Sequence, residues 1–488
     1  MLIINKILKY KIDLSIIGII IPGIIYLLLP SVNNSLDSIG YAVDMRTGEE
    51  LFRPHHLFYS SFGYVISYFF NVKNTLPFLC FINGIFSIFI LCILRSIFIR
   101  FTDKKTCALI LIFLGSCFGF MRFATDNEAY IIPLFFSLAA SKILLTEKNV
   151  FLSSLLASIA CLFHQIHFFW WLGLLIFVFD YFKENRLKKL FCFIIPALIV
   201  PLVYSIVFYF IENDCNSVIE YIFHDYFKVS YVKFELKSIS FLLIFINFIR
   251  TFIQIHGYFI PLIQKHLYVI FFILISVSFF MIGLFKMKGS VSKYPETNHF
   301  VSKFAFYHLI IFVLQLLFAF ISDGNAEFMV MLPVALGLYF FIKYRIKIIN
   351  LFCFTIALFV WNVSLGAFPY HVMNLSPDLS IMQYIIDHSQ DNKYCINSYN
   401  KARISILLKY YHPEKECNIY AVGISDSLTL HPGEYFITDL FDNELLYSRG
   451  SITQPIKKEV LSNSVVIKKD TLVYDLGEWY LTTVRINE

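Results

Sequence analysis

Residues 44 to 64 gather acids, two arginines and paired histidines in a stretch that reads DMRTGEELFRPHHLFYSSFGY. A carboxylate can act as a general base, whereas arginine and histidine side chains can hold phosphate oxygens. The RPHH segment stands directly before the apolar run LFYSSFGYVISYFF. The spacing therefore indicates that a reacting group would be held where this loop meets an apolar surface.

Further acids and histidines recur at the ends of later apolar segments. The segments are RFATDNEAY with Asp126 and Glu128, LFHQIHFFWW with His164 and His167, and SDGNAEFMVMLP with Asp323 and Glu327.

Each of these residues also has an ordinary interpretation. Acids before a helix are favoured by the helix dipole, and histidines beside tryptophans suit a membrane interface as well as a ligand site. Glu49, Glu50 and Asp323 are most simply explained as solvated loop acids. Glu327 directly enters an apolar segment, where a buried carboxylate needs a partner, so a functional role is favoured there.

The composition identifies the kind of protein that must position these residues. Of the 488 residues, 58% are hydrophobic, 18% are aromatic and only 15% are charged. Soluble domains carry about 25% charged residues, so the chain is predicted to be an all-α polytopic membrane protein. The net charge of +6 does not indicate a nucleic-acid partner, because the basic residues form short clusters between apolar segments.

Membrane-crossing helices need about 20 mostly apolar residues each, and the sequence predicts about eleven of them. They lie near residues 14–29, 77–95, 106–122, 129–145, 149–166, 168–182, 187–211, 267–285, 304–321, 327–343 and 348–366. The first follows three lysines and has no small-residue cleavage site, which predicts a retained anchor and a cytoplasmic N-terminus. Basic clusters then fall in every second loop, as expected for cytoplasmic loops.

Two apolar stretches do not fit this alternation as single crossings. If residues 54–70 crossed, the basic loop from Arg95 to Lys105 would move outside, so an interfacial or re-entrant helix is predicted instead. Residues 239–262 are interrupted by Arg250 and are predicted to form outer-face helices, with a pair of short spans as the alternative. In this layout, the loops that carry acids and histidines all lie at the outer face.

The chain changes character after residue 366. The alternating stretches NSVVIKKDTLVYDL and EWYLTTVRI indicate strands, and LSIMQYIIDH and ARISILLKYY indicate helices. We predict a transmembrane domain over 1–366, with an outer loop at 30–76, and a small extracytoplasmic α/β domain over 367–488. This domain has no phosphate-loop or zinc motif, so a binding or supporting role is expected, and Cys395 and Cys417 could pair there.

A cavity lined by acids and histidines at a membrane surface suits a transferase that uses a lipid-phosphate carrier. The lipid tail needs a groove between helices, the phosphate needs arginine or histidine, and the acceptor needs a carboxylate base. An activated donor of this kind supplies the energy, which agrees with a sequence that has no nucleotide-binding motif.

The stretch LDSIGYAVDMRTGEELFRPHHLFY resembles the first outer loop of the GT-C superfamily of polytopic glycosyltransferases, which includes protein O-mannosyltransferases and lipid A aminoarabinose transferases. In that family a catalytic Asp, commonly in an Asp-Glu pair, precedes a Gly-containing stretch and a Pro-containing segment that opens an interfacial helix. Asp37 occupies the place of the first acid, and PHHLFY is similar to the PHHLLY-type segment of bacterial members. Ser38 replaces the usual Glu, which leaves Asp44 as a rival for the catalytic role.

The resemblance implies that a sugar is transferred with inversion from a polyprenyl-phosphate donor to a glycan, lipid or protein acceptor. The reaction would occur at the outer face of the plasma (inner) membrane, with Asp37 or Asp44 as the general base. The expected substrate-binding residues are Arg53, His55 and His56 for the phosphate, Asp126, Glu128 and Glu327 for the acceptor, and His164 and His167. The three acids of the acceptor pocket could alternatively hold a divalent cation, magnesium or manganese, and no other cofactor is expected.

Two other classes of function remain open at the level of the sequence. A lipid-glycan polymerase or ligase would use the same carrier, and His224, Arg250 and His256 in the 212–266 region suit it. A secondary transporter would place its ionisable groups near the bilayer midplane and would show internal repeats. The acids here cluster at the ends of spans and no repeat is evident, so the transporter is the less favoured alternative.

Overall fold

The computed structural model describes residues 13–211, 214–224, 238–255, 258–294, 298–322, 324–388, 393–414, 419–422, 432–439, 443 and 464–487. Asp323, His256 and Cys417 lie outside these residues, and so does the suggested pairing of Cys417 with Cys395.

Helices make up most of the described chain. In the first half they are α1 (Ile17–Leu28), α2 (Leu36–Thr47), α3 (Tyr59–Phe69), α4 (Thr75–Phe98), α5 (Lys104–Gly115), α6 (Phe118–Ala124), α7 (Ile131–Glu147), α8 (Val150–Phe163), α9 (Phe168–Tyr181), α10 (Arg186–Ala197), α11 (Ile199–Phe210) and α12 (Val218–Ile222). In the second half they are α13 (Ser238–Phe252), α14 (Phe259–Lys265), α15 (Tyr268–Phe285), α16 (His299–Ile321), α17 (Leu332–Lys343), α18 (Ile348–Asn362), α19 (Phe368–Val372), α20 (Asp378–Asp387) and α21 (Ser398–Tyr411).

Shorter elements interrupt or extend these helices. Single 3-10 turns are formed by Leu14–Ile16, Pro54–His56, Gln165–His167 and Glu327–Met329, and a π-helical turn by Val363–Ala367. The strands are β1 (Val291–Lys293), β2 (Tyr344–Ile346), β3 (Lys393–Asn397), β4 (Ile419–Val422), β5 (Tyr435–Thr438), β6 (Ser464–Tyr474) and β7 (Gly477–Ile486).

Five helices of the described chain are long and apolar enough to cross a membrane. They are Thr75–Phe98, Arg186–Phe210, Tyr268–Phe285, His299–Ile321 and Ile348–Val372. A sixth span forms if α5 and α6, which are bent by 74° relative to each other, are counted as one. The other predicted spans contain helices that are too short to qualify, so the number eleven is not confirmed.

Residues 54–70 form a 3-10 turn followed by α3, which has 11 residues. Such a helix is about 16 Å long, about half of the hydrocarbon thickness. An ion pair gives independent support to the prediction that residues 54–70 do not cross the membrane. Arg95 Nη2, near the end of α4, lies 2.7 Å from Asp13 Oδ2, which precedes α1. The start of α1 and the end of α4 therefore meet. If each helix crosses once, the segment between them begins and ends at one face, as the sequence analysis predicts.

The two basic loops at 286–293 and 343–347 also meet. Strands β1 and β2 pair antiparallel, with Ser292 opposite Arg345 and Lys293 opposite Tyr344. Both loops are rich in lysine and arginine, which predicts a cytoplasmic location for each. Because the two strands pair, both loops lie on the same side of the bundle, which agrees with a location at one face of the membrane.

Short polar side chains and a small residue determine local details of the bundle. Asp103, Asn149 and Ser217 accept hydrogen bonds from backbone N–H groups at the starts of α5, α8 and α12. Gly18 of α1 faces the backbone of α5, and a Cβ atom there would lie 2.7 Å from the carbonyl oxygen of Ala108. A glycine is required at this position because it lets the two helices approach closely.

The described chain divides into two compact units. The first comprises Met1–Pro30, Asp44–Ile255 and Ile270–Phe368, and the second comprises Ser31–Val43, His256–Val269 and Pro369–Glu488. Helix α2 contributes to both. The treatment of 367–488 alone as a separate domain stays a prediction.

The second unit contains a five-stranded sheet in the order β4-β3-β5-β7-β6. Strand β3 is parallel to both neighbours, whereas β7 is antiparallel to β5 and to β6. The two predicted strands are β6 and β7, and the two predicted helices are α20 and α21. Within this unit Arg403 Nε lies 2.5 Å from Asp378 Oδ2 and Arg403 Nη2 donates to the carbonyl oxygen of Asn34 at 3.2 Å, which fixes the segment that leads into α2.

Candidate functional site

A cluster of histidine rings forms in the first unit where three loops converge. The ring centres of His55 and His56 are 4.1 Å apart, and those of His56 and His164 are 4.2 Å apart. The ring of Tyr130, just before α7, lies 4.8 Å from that of His164. His56 and His164 are buried, with 5% and 4% of their surfaces exposed. Segments separated by more than a hundred residues in sequence thus meet in one cluster.

The backbone of the 3-10 turn Pro54–His56, here called the PHH turn, is held by polar side chains from other elements. The Nε2 amide of Gln165 donates to the carbonyl oxygens of Pro54 at 3.2 Å and Ile222 at 2.6 Å. The hydroxyl of Tyr204 also donates to the Pro54 carbonyl, at 2.5 Å. These contacts fix the carbonyl of Pro54 and thereby the start of the backbone turn that carries the two histidines.

His164 presents a hydrogen-bond donor within the cluster. Its Nδ1 atom accepts a hydrogen bond from the backbone N–H of Ile166 at 3.3 Å, so the ring proton of the neutral side chain belongs on Nε2. The Nε2 atom is buried and has no hydrogen-bond partner among the residues that the structure describes. An anionic or neutral acceptor from a ligand would satisfy it.

His56 is in the neutral form under ordinary conditions. Burial lowers its pKa well below the usual value of 6.5, and the neighbouring His55, His164 and Arg53 lower it further. A phosphate anion beside this ring would favour the protonated form. We therefore expect the arrival of such an anion to be accompanied by the uptake of a proton.

Arg53 is oriented by two acids. Its Nη2 atom lies 2.8 Å from Asp44 Oδ2 and 2.9 Å from Glu50 Oε2. Asp44, on α2, has only 4% of its surface exposed, whereas Glu50 lies at the surface. The buried carboxylate therefore neutralises and positions the guanidinium, which is the group best suited to bind phosphate.

Asp37 lies in a different setting from its rival Asp44. It is exposed in the first turn of α2 and belongs to the second unit, while Ser38 beside it is buried. The sequence leaves the choice of the base open between Asp37 and Asp44. The structure distinguishes them by burial and by the pairing of Asp44 with arginine.

The loop that carries Asp126 and Glu128, here called the second acidic loop, is buried and not solvated. Only 1% of Asp126 and 2% of Glu128 is exposed, and Asp126 Oδ2 lies 2.8 Å from Arg122 Nη2. Asn83 in α4 donates from its Nδ2 atom to the carbonyl oxygens of Asp126 at 2.7 Å and Glu128 at 2.9 Å. The loop is thus tied to a helix of the bundle.

Glu327 is half-buried and forms a hydrogen bond with a tyrosine of another segment. The hydroxyl of Tyr130 donates to Glu327 Oε2 at 3.1 Å, which connects this carboxylate to the histidine cluster. His167 is different: its Nδ1 atom lies 2.8 Å from the hydroxyl of Ser137, and its ring centre is 6.5 Å from that of His164. Its contact with α7 favours a role in packing.

The acids of this region do not present an evident cation site. Asp126 is already neutralised by Arg122. Within the described residues Asp126, Glu128 and Glu327 do not form a group of three ligand atoms close enough for one ion. A magnesium or manganese ion held by these acids stays a prediction that their geometry does not favour.

An apolar groove of about 580 Å³ begins beside the histidine cluster. Gln165 and Tyr204, which hold the PHH turn, are part of its wall. The rest of the lining is mainly apolar and includes Ile166, Phe169 and Trp171. A groove of this character can hold a hydrocarbon chain, and it begins one residue away from His164.

Three residues of the site were not selected from the sequence. Asn83 had a visible signal, because it is an amide within an apolar span and such residues mark functional or structural contacts. Tyr130 and Gln165 had none, since tyrosine and glutamine are ordinary residues near a membrane interface. Their roles depend on which loops meet.

No protein-family model matches the chain, and no curated protein is similar to it in sequence. Solved structures that are similar to it include ArnT from Cupriavidus metallidurans bound to undecaprenyl phosphate and the same protein in the apo state. The TM-scores are 0.46 and 0.47, each at 9% sequence identity, with 96% of this chain and 97% of the other covered. ArnT is of the lipid A aminoarabinose transferase type that the first loop resembles.

Proposed function

We propose that this chain is an integral membrane glycosyltransferase that takes a sugar from a polyprenyl-phosphate donor and transfers it, with inversion, to an acceptor at the outer face of the membrane. The observation that carries the proposal is the convergence of Arg53, His55, His56 and His164 beside an apolar groove. Phosphate-binding groups at the mouth of a hydrocarbon-lined groove match the two ends of a lipid-phosphate donor.

Each group has a defined part in this mechanism. The guanidinium of Arg53, held by Asp44 at 2.8 Å, binds two phosphate oxygens. His56 and the Nε2–H of His164 donate to the phosphate as it departs and gains charge. Tyr130 and Glu327 close the other side of the cluster, where an acceptor hydroxyl or amine would enter.

Asp37 is the base that the mechanism favours. Asp44 is buried and forms an ion pair with the half-buried guanidinium of Arg53, so a proton taken up by Asp44 would remove the buried one of the two acids that hold this arginine. Asp37 is exposed and can accept a proton from the acceptor. A single carboxylate base is sufficient because inversion requires no covalent sugar intermediate.

Binding of a polyprenyl phosphate to the purified chain tests the first half of the proposal without knowledge of the sugar. We expect Arg53→Ala to weaken binding about tenfold or more, because it removes charge-assisted hydrogen bonds. Glu49→Gln is the matched control, since Glu49 is an exposed acid of the same loop. Equal affinity in wild type and Arg53→Ala would contradict the assignment of the phosphate site.

Transfer of radiolabelled sugar from polyprenyl-phosphate donors in membranes tests the base. Asp37→Asn is expected to abolish transfer and to leave lipid binding intact, whereas Asp44→Asn is expected to weaken lipid binding because Arg53 loses its partner. The reverse pattern would assign the base to Asp44. If both variants transfer sugar as well as wild type, the catalytic centre does not lie in this loop.

A further inference from the structure

A second group of chemically active side chains lies on the loop between α11 and α12, apart from the histidine cluster. The Oδ1 atom of Asp214 lies 4.0 Å from Nε2 of His224 and 3.9 Å from Sγ of Cys215. All three ligand atoms lie within 4.8 Å of one another. Among the described residues, this is the group of three such atoms that is close enough to surround one metal ion.

The ligand types and distances favour zinc over magnesium or calcium. Thiolate and imidazole are ligands for a borderline-soft ion, whereas magnesium and calcium take oxygen atoms almost exclusively. With Zn–S and Zn–N bonds of usual length, tetrahedral ligand atoms are separated by about 3.3–3.6 Å. The Asp214–Cys215 and Asp214–His224 separations of 3.9 and 4.0 Å, and a third separation of no more than 4.8 Å, are longer than that range. Metal binding would therefore require rotations of these side chains, which are exposed or half-buried.

The cluster lies on a segment that supports the PHH turn. The hydroxyl of Tyr221 donates to the carbonyl oxygen of Phe52 at 2.6 Å, and the carbonyl of Ile222 accepts from Gln165. Cys215 packs against the buried cluster that contains Leu57 and Tyr221. The two ends of this segment, at Asp214 and His224, are the residues that a bound metal would join.

We propose that Asp214, Cys215 and His224 form a zinc-binding site that joins the ends of this segment and thereby stabilises the support of the Phe52–Pro54 backbone. Three protein ligands leave a fourth position for water. On binding, the thiol of Cys215 loses its proton to solvent and becomes a thiolate ligand, with no change in oxidation state. The inference does not rest on the proposed transferase activity.

Cobalt provides a direct probe, because a cobalt–thiolate bond gives a charge-transfer absorption band. The full-length protein in detergent, kept reduced with a phosphine, is expected to bind one equivalent of Co²⁺ with this band, and Zn²⁺ is expected to displace it. Cys215→Ser should remove the band and weaken Zn²⁺ binding at least about tenfold. Cys192→Ser is the matched control, since Cys192 is also half-buried and is not part of the cluster.

Hydrogen exchange measures the structural consequence in the same samples. Zinc is expected to slow exchange of backbone amides over residues 214–224 in wild type and in Cys192→Ser, but not in His224→Gln. A wild-type protein that binds no zinc, or a Cys215→Ser variant that retains the cobalt band, would overturn the proposal. Binding without slower exchange would refute the stabilising role and leave the site itself in place.

Discussion

At the scale of single residues, the charge state of the buried histidines controls how the site behaves with pH. His56 remains neutral in the folded chain because burial lowers its pKa well below 6.5. In the unfolded chain the same ring takes up a proton near pH 6.5. Between the two pKa values the unfolded state binds the extra proton, so the free energy of unfolding falls as the pH drops below about 6.5.

The prediction is that His56→Gln makes this pH dependence shallower. Thermal unfolding in detergent from pH 8 to pH 5 should show a smaller decrease in Tm for the variant than for wild type, since one such group contributes about 1.4 kcal/mol per pH unit. His299→Gln replaces an exposed histidine and serves as the control. An unchanged slope in His56→Gln would mean that His56 is not held neutral in the folded chain.

At the scale of elements, α4 controls the shape of the second acidic loop through a single amide. Asn83 donates to the carbonyl oxygens of both Asp126 and Glu128. The loop in turn precedes Tyr130, which joins the histidine cluster to Glu327. A substitution of Asn83 in α4 should therefore alter the position of Tyr130 and the geometry of the histidine cluster.

We predict that Asn83→Leu lowers the stability and weakens polyprenyl-phosphate binding. Two buried carbonyl oxygens would lose their donor, at about 1–3 kcal/mol each. Ser87→Ala is the control, because Ser87 is equally buried one turn later and donates only to the carbonyl of Asn83. Thermal unfolding and lipid binding measure the two effects. If Asn83→Leu behaves like Ser87→Ala in both, the loop is held by other contacts.

At the scale of the whole molecule, the first unit brings basic segments into contact with one another and polar segments into contact with one another. The ion pair of Arg95 with Asp13 and the pairing of β1 with β2 bring basic segments together. The ring contacts of His56, His164 and Tyr130 bring polar segments together. Such sorting is expected when the bilayer separates two aqueous phases and basic loops remain in the cytoplasm.

Labelling of single added cysteines tests this arrangement. In intact cells, a membrane-impermeant maleimide should label Thr47→Cys, whereas Lys288→Cys and Lys347→Cys should react only after lysis. All three positions are exposed. Labelling of Lys288→Cys and Lys347→Cys from different sides would contradict the small β1–β2 sheet, and labelling of both from outside would invert the predicted orientation.

The sequence by itself determined the membrane character and the positions of most helices, and it singled out the segments in which acids and histidines gather. These features are local: an apolar run is helical in lipid because its backbone must satisfy its own hydrogen bonds, and RPHH is recognisable from residue types alone. Only the tertiary structure decided which loops meet. The contact of His56 with His164, the bridge from Tyr130 to Glu327 and the pairing of Asp44 with Arg53 depend on helix packing. Helix packing depends on the shapes of side chains such as Gly18 against α5, and no local pattern of hydrophobicity encodes those shapes.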